Sequence, residues 1–215
     1  MPFSSFDVIL TDPPYGIGLD YGENKDKRPP HYFWAILRRT LKQQGSLHMT
    51  VGINELPEWF STMKLGGWHY RHMSVYWNER RTRKLADGGA TLRGHTHALG
   101  GDWEPWMHYT KEAYEGPLIT NKRLPSDIFQ HPGAKESNHP AERDISAWRA
   151  MAELFVKPDS VVLDPFLGTG TSLVVCKELG AKCVGIEREE KWAEYAKNRL
   201  SQTTIFEQPE LREGP

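Results

Sequence analysis

The chain has 215 residues and a nearly neutral balance, 27 Lys plus Arg against 28 Asp plus Glu; that is the length of one domain with room for an insertion, and net charge alone points to no partner. Hydrophobic residues make up 38%, enough for a core that needs no disulfide or metal staple. Two cysteines, Cys176 and Cys183, exclude a disulfide scaffold and a four-cysteine zinc site, and no basic start, signal-like run or apolar stretch of about 18 residues points to secretion or a membrane, so a cytoplasmic protein is expected.

In chain order, residues 6–10 (Phe-Asp-Val-Ile-Leu) read as a strand that stops at Thr11-Asp12-Pro13-Pro14-Tyr15-Gly16, because two consecutive prolines cannot continue a central strand. The stretch 16–30, rich in Gly, Pro and charge, reads as a loop. Phe33, Ile36, Leu37 and Leu41 predict a helix over about 31–43, with Pro29-Pro30 as its start signal and Gly45 as its stop. Residues 46–51 predict a strand, 56–65 a helix, and 69–77 a further strand after the Gly66-Gly67 break. The composition then changes. Between Trp68 and Gly101 stand six Lys/Arg and two acids, with five glycines from Gly88 onward. A basic, glycine-rich insertion at about 78–104 thus interrupts an otherwise balanced chain. Residues 105–110 predict a strand returning to the sheet, and 112–140 mostly loop.

The last third is the most regular. Ile145, Trp148, Ala152 and Phe155 mark a helix over about 141–156, followed by a buried strand at 161–163, a turn at 164–171 and a helix at 172–179. A second strand at 183–186 is closed by Glu187, and a helix follows over about 189–200. Strand and helix alternating at this spacing predict a parallel α/β sheet, here as one domain over 1–215.

Two constellations carry chemistry. The first is Gly168-Thr169-Gly170 between a strand and a helix, a turn that lets backbone approach a nucleotide closely and aims a helix N-terminus at it. Glu187 ends the next strand, where a carboxylate takes the two hydroxyls of a ribose. Position 173 is Leu, so the third glycine of the dinucleotide fingerprint is absent and a nucleoside without phosphates fits better than a pyrophosphate. A plain strand–helix turn with two glycines is the alternative. The second is Asp12-Pro13-Pro14-Tyr15. An aromatic amino group is a poor nucleophile because its lone pair is delocalised into the ring. A carboxylate (Asp12) and a backbone carbonyl (Pro13, its direction set by Pro14) can accept its two hydrogens and free the lone pair, while Tyr15 offers a flat ring to a flipped-out base. A Pro-Pro turn with a capping Asp is the alternative.

These two motifs resemble the catalytic and cofactor motifs of amino-group DNA methyltransferases, and the catalytic one comes first, the order of the circularly permuted beta class. Asn138-His139-Pro140-Ala141, Val184-Gly185-Ile186-Glu187 and the stretch from Asp102 to Lys111 are similar to other parts of that family, so the resemblance runs from about 6 to 200. It implies an α/β Rossmann-like S-adenosylmethionine-dependent methyltransferase fold with a mostly parallel sheet. It also implies a site-specific enzyme of the restriction–modification kind, bacterial or phage-encoded. Such an enzyme moves a methyl group by base flipping and direct in-line displacement onto N6 of adenine in double-stranded DNA. The implied catalytic residues are Asp12, Pro13, Pro14 and Tyr15. The implied cofactor-binding residues are Thr11, His139, Pro140, Asp164, Phe166, Gly168, Gly170, Thr171 and Glu187, with Glu187 on the ribose and His139 and Pro140 at the methionine end. Asp at the first motif position goes with adenine in this family and Ser with cytosine. Members usually carry a Gly-Asp pair ahead of the catalytic strand, whereas the 11 residues before Asp12 hold none.

Arg80, Arg81, Arg83, Lys84 and Arg93 in the insertion are the expected phosphate contacts on DNA; a solvated face is the alternative. His95 and His97, with His69 and His72, lack Cys or carboxylate partners at ligand spacing, so no metal is expected. Cys176 and Cys183 read as core residues. The rival functions are an N4-cytosine DNA methyltransferase, a non-enzymatic DNA-binding remnant of the family, and a nicotinamide-dependent oxidoreductase, which leaves Asp-Pro-Pro-Tyr unexplained. A homodimer is an open option.

Overall fold

The apolar run at Phe6 becomes the middle of a sheet because its side chains are wanted on both faces. In a computed structural model, which describes residues 3–16, 27–78, 103–113, 128–131 and 144–202, strand β1 (Phe6–Thr11) buries Ile9 against one core and Val8 and Leu10 against another. The chain continues through α1 (His31–Thr40), β2 (Leu41–Thr50), α2 (Leu56–Leu65), β3 (His69–Asn78), β4 (Trp103–Thr110) and β5 (Ile128–His131). It then forms α3 (Ile145–Phe155), β6 (Val161–Asp164), α4 (Thr171–Glu178), β7 (Lys182–Gly185) and α5 (Glu190–Gln202). The described strands form one seven-stranded sheet in the order β5-β3-β4-β2-β1-β6-β7. Among them β4 runs against its neighbours β2 and β3, and the other pairs are parallel. The expected mostly parallel α/β sheet is what forms.

Helices cover both faces. Trp34 and Leu37 of α1 and Trp59 and Met63 of α2 pack on one side with Ile9, Leu47 and Met107. Trp148 and Met151 of α3 and Val175 and Cys176 of α4 pack on the other with Val8, Leu10 and Val162. Cys176 is fully buried and Cys183 partly so, both as free thiols of this second core. Their mutual hydrogen bond, and then burial, push the Cys183 thiol up. The second face also carries a polar row across the strands. His48 and His108, directly opposite in β2 and β4, meet Nδ1 to Nδ1 at 2.8 Å. Burial, and then the charge of a neighbouring histidine, lowers both below 6.5, His108 to about 3, so both rings are neutral near neutral pH.

Two local expectations change. Helix α1 ends at Thr40 rather than near 43, and the chain turns directly into β2. Thr40 donates its hydroxyl to the Leu37 carbonyl, and Leu41 is extended, fully buried and paired with Phe6. Gly45 is therefore not a helix stop. It lies inside β2 where the pairing jumps from Phe6↔Leu41 to Val8↔Ser46, and a Cβ there would press on Leu41 and the Lys42 carbonyl at 3.0 Å. The other change is β5, four residues inside the stretch expected to be mostly loop, added parallel to β3 at the sheet edge. Four residues are too few to show a period.

Candidate active site

The sheet topology selects one crevice. Strands β1 and β6 are parallel neighbours, paired Val8↔Val162 and Ile9↔Leu163. The chain leaves β1 toward α1 on one face and leaves β6 toward α4 on the other, so their carboxyl ends part at a topological switch point, where open α/β sheets bind ligands. Both sequence constellations lie there. They are stitched together by Thr11, whose hydroxyl donates to Asp164 Oδ1 at 2.6 Å across 153 positions of chain.

Asp164 organises the cofactor-side turn from within. Its carboxylate also accepts from the Phe166 N–H at 3.1 Å and the Ser172 hydroxyl at 2.5 Å, and the residue is 2% exposed. Burial pushes its carboxyl up from 3.8 to about 6 against the pull of the Ser172, Thr11 and Phe166 donors, and the nearby Asp12 charge adds to the rise. Thr11 has no exposed surface, and buried Thr171 accepts from Arg199 Nη1 at 3.1 Å. As placed, Thr11, Asp164 and Thr171 face inward. Their hydrogen bonds shape the cofactor-side turn from within.

The two glycines differ as well. Both adopt left-handed backbone, Gly168 at φ +53 and Gly170 at φ +82. Among the described residues a Cβ on Gly168 would meet nothing within 4 Å, so this position faces open ground between them. A Cβ on Gly170 would lie 2.7 Å from the Ala196 Cβ of α5. The missing side chain at Gly170 leaves room for that helix. Glu187 sits over the open glycine, Oε2 accepting from the Gly168 N–H and Oε1 from the Glu189 N–H, each at 2.8 Å. The Phe166 ring, half-buried, rests against Phe33 of α1 with centroids 5.4 Å apart. A carboxylate, an aromatic ring and uncluttered backbone therefore converge on one side of the crevice.

On the other side, Asp12 Oδ1 accepts from the Tyr15 hydroxyl at 2.7 Å and from the Thr50 hydroxyl at the end of β2. Pro13 is buried and Pro14 half-buried; the Tyr15 ring packs on the first core beside Gly52. Thr50 and Phe33 are the site residues that sequence reasoning misses. Thr50 becomes visible once β2 is placed parallel to β1, since Thr11↔Met49 puts Thr50 level with Asp12. Phe33 reads in the sequence only as part of an apolar helix face. The remaining expected site residues, His139, Pro140, Arg80, Arg81, Arg83, Lys84 and Arg93, lie outside the described residues, as does most of the proposed insertion.

Residues 6–198 match the family model described as DNA methylase, of N6 and N4 type. The type II methyltransferase M.HpaI of Haemophilus parainfluenzae is 25% identical over 92% of this chain and 68% of its own. Among solved structures, the M1.HpyAVI–SAM complex superposes with a TM-score of 0.67 at 20% identity, covering 91% of this chain and 90% of that one. The PvuII DNA methyltransferase (cytosine-N4-specific) also has a TM-score of 0.67, at 14% identity over 92% of this chain and 80% of that one. The two structural likenesses speak to the fold, and the family model spans both motifs that meet in the crevice. The chain belongs to the N6/N4 DNA methylase family.

Proposed function

We propose that this protein transfers a methyl group from S-adenosylmethionine to the N6 amino group of adenine in double-stranded DNA. The observation that carries the proposal is the meeting of Asp12-Pro13-Pro14-Tyr15 and the Gly168–Glu187 turn at the carboxyl ends of two adjacent strands, held by the Thr11–Asp164 hydrogen bond. The residues present suit the cofactor. Open ground at Gly168 admits a nucleoside edge, Glu187 is fixed where ribose hydroxyls would donate to it, and Phe166 offers a ring to the adenine. His139 and Pro140 are assigned to the methionine end. Bound there, S-adenosylmethionine supplies an electrophilic methyl on a cationic sulfur, which leaves as a neutral thioether with both electrons of the carbon–sulfur bond.

The protein's share is positioning and desolvation. Asp12 accepts one hydrogen of the target amino group and the Pro13 carbonyl the other, drawing the nitrogen toward tetrahedral geometry so that its lone pair points at the methyl. The amino proton becomes acidic only after the new carbon–nitrogen bond has formed, and Asp12 or water then takes it. Tyr15 stacks on the flipped base. The basic run Arg80, Arg81, Arg83 and Lys84, with Arg93, holds the phosphates. Adenine is preferred over cytosine because the first motif residue is Asp12.

The test is to methylate site-rich duplex DNA with labelled cofactor, digest it to nucleosides and separate them. Label in N6-methyladenine is expected, and Asp12→Ala should abolish it while leaving DNA and cofactor binding largely intact, since it removes an interaction needed mainly in the transition state. Label in N4-methylcytosine instead would overturn the choice of base. Label in neither, with folded protein, would favour a DNA-binding remnant.

A further inference from the structure

We propose that Thr50 is a positioning residue of the transfer reaction, holding the Asp12 carboxylate in the orientation that receives the target amino group. The inference rests on the reading that Asp12 accepts a hydrogen of that group. Thr50 is the last residue of β2, 1% exposed, and its hydroxyl donates to Asp12 Oδ1, the same oxygen that accepts from Tyr15 at 2.7 Å. The two donors differ in the rigidity of what carries them. Thr50 is paired opposite Trp106 in β4 and stands one residue past the Thr11↔Met49 pair with β1. Tyr15 follows two prolines at the mouth of the crevice, where its ring must also serve the incoming base.

A carboxylate beyond the end of a strand turns freely about its last torsion unless something holds it. A single donor leaves a cone of orientations; two donors converging on Oδ1 from different elements set the carboxylate plane and hence the direction of Oδ2. Thr50 donates from the end of a sheet strand, so its bond to Oδ1 does not depend on where the Tyr15 ring lies. Its hydroxyl also aligns a dipole with the carboxylate before the amino group arrives, so no reorganisation is needed as the nitrogen begins to carry charge. The chemistry requires a donor that is short, buried and on a rigid element. A β-branched hydroxyl residue at the end of a strand meets all three conditions, since its χ1 is also restricted.

Two substitutions separate this role from packing. Thr50→Val keeps the shape and loses the hydroxyl; Thr50→Ser keeps the hydroxyl and loses a methyl group. A positioning role predicts that Thr50→Val lowers the single-turnover methylation rate about ten- to a hundredfold, the span of a hydrogen bond to a charged group read in the transition state. Cofactor affinity, DNA affinity and melting temperature should stay close to wild type. Thr50→Ser should recover most of the rate. A packing role predicts the reverse order, with Thr50→Ser the poorer and less stable protein and Thr50→Val near wild type, and that result would overturn the proposal. So would equal rates in all three proteins. A wild-type protein that methylates no base would instead remove the parent reading, and this inference with it.

Discussion

Replacing each glycine of the cofactor turn by alanine should produce two different defects. At Gly170 the new Cβ would lie 2.7 Å from the Ala196 Cβ, closer than real Cβ contacts come, and 3.2 Å from its Cα, while the backbone holds φ +82. Left-handed backbone costs a non-glycine residue roughly 1–2 kcal/mol, and overpacking typically costs about 1–3 kcal/mol. Gly170→Ala should therefore lose about 2–5 kcal/mol of stability, which for a chain of this length is a melting temperature lower by roughly 4–20 °C. At Gly168 the same substitution meets nothing within 4 Å among the described residues and φ is +53, so only the backbone cost of about 1–2 kcal/mol applies. Its methyl group instead projects into open ground on the turn whose N–H bonds Glu187, and S-adenosylmethionine affinity should fall about tenfold or more on an otherwise folded protein. Thermal melts and calorimetric titration of S-adenosylmethionine on both variants decide the matter. Wild-type affinity in Gly168→Ala would mean that the cofactor does not lie against this turn. A wild-type melt in Gly170→Ala would refute the helix-packing account of the second glycine.

Asp164 titrates near 6 when folded, against 3.8 for an ordinary aspartate carboxyl. The folded state thus binds the proton more tightly than the unfolded chain, and stability from this group is full below pH 3.8 and lost as pH rises toward 6. Asp164→Asn keeps the shape and escapes that loss, so relative to wild type it should gain up to about 3 kcal/mol between pH 4 and pH 7, at 1.36 kcal/mol per unit; denaturant melts that show a pH-independent difference would refute the assignment. Replacing Arg80, Arg81, Arg83 and Lys84 together by Ala should weaken DNA binding and flatten its dependence on salt, by a slope of about 0.9 for each phosphate no longer neutralised, with cofactor titration unchanged. An unaltered slope would mean that the run is solvated surface.

What the sequence made legible is what is written locally along the chain. The strand before Asp12 is readable because two prolines must end it, and the strand–turn–helix at 161–178 because apolar run, glycines and helix follow one another without interruption. Boundaries fail where tertiary pairing overrides local pattern. The periodicity of α1 runs on through Leu41, but Leu41 is pulled into the sheet by Phe6, and a glycine that looks like a helix stop is instead an accommodation inside a strand. The same limit explains the site. Gly168 and Gly170 are two letters of one motif, and nothing near them says that one faces open ground and the other a helix that begins 20 positions later, at Glu190. Thr11, Asp164 and Ser172 share one motif-like neighbourhood in space, yet the bond from Thr11 to Asp164 spans 153 positions. Thr50 is the clearest case. As one polar residue near the end of a mixed strand it draws no notice, and it acquires meaning only from the register that sets it beside Asp12. Motifs announce the groups that touch a substrate, because those groups must have a particular chemistry. The groups that aim them need only a donor at the right place, many residue types and positions can supply one, and so they emerge only when the strands are laid side by side.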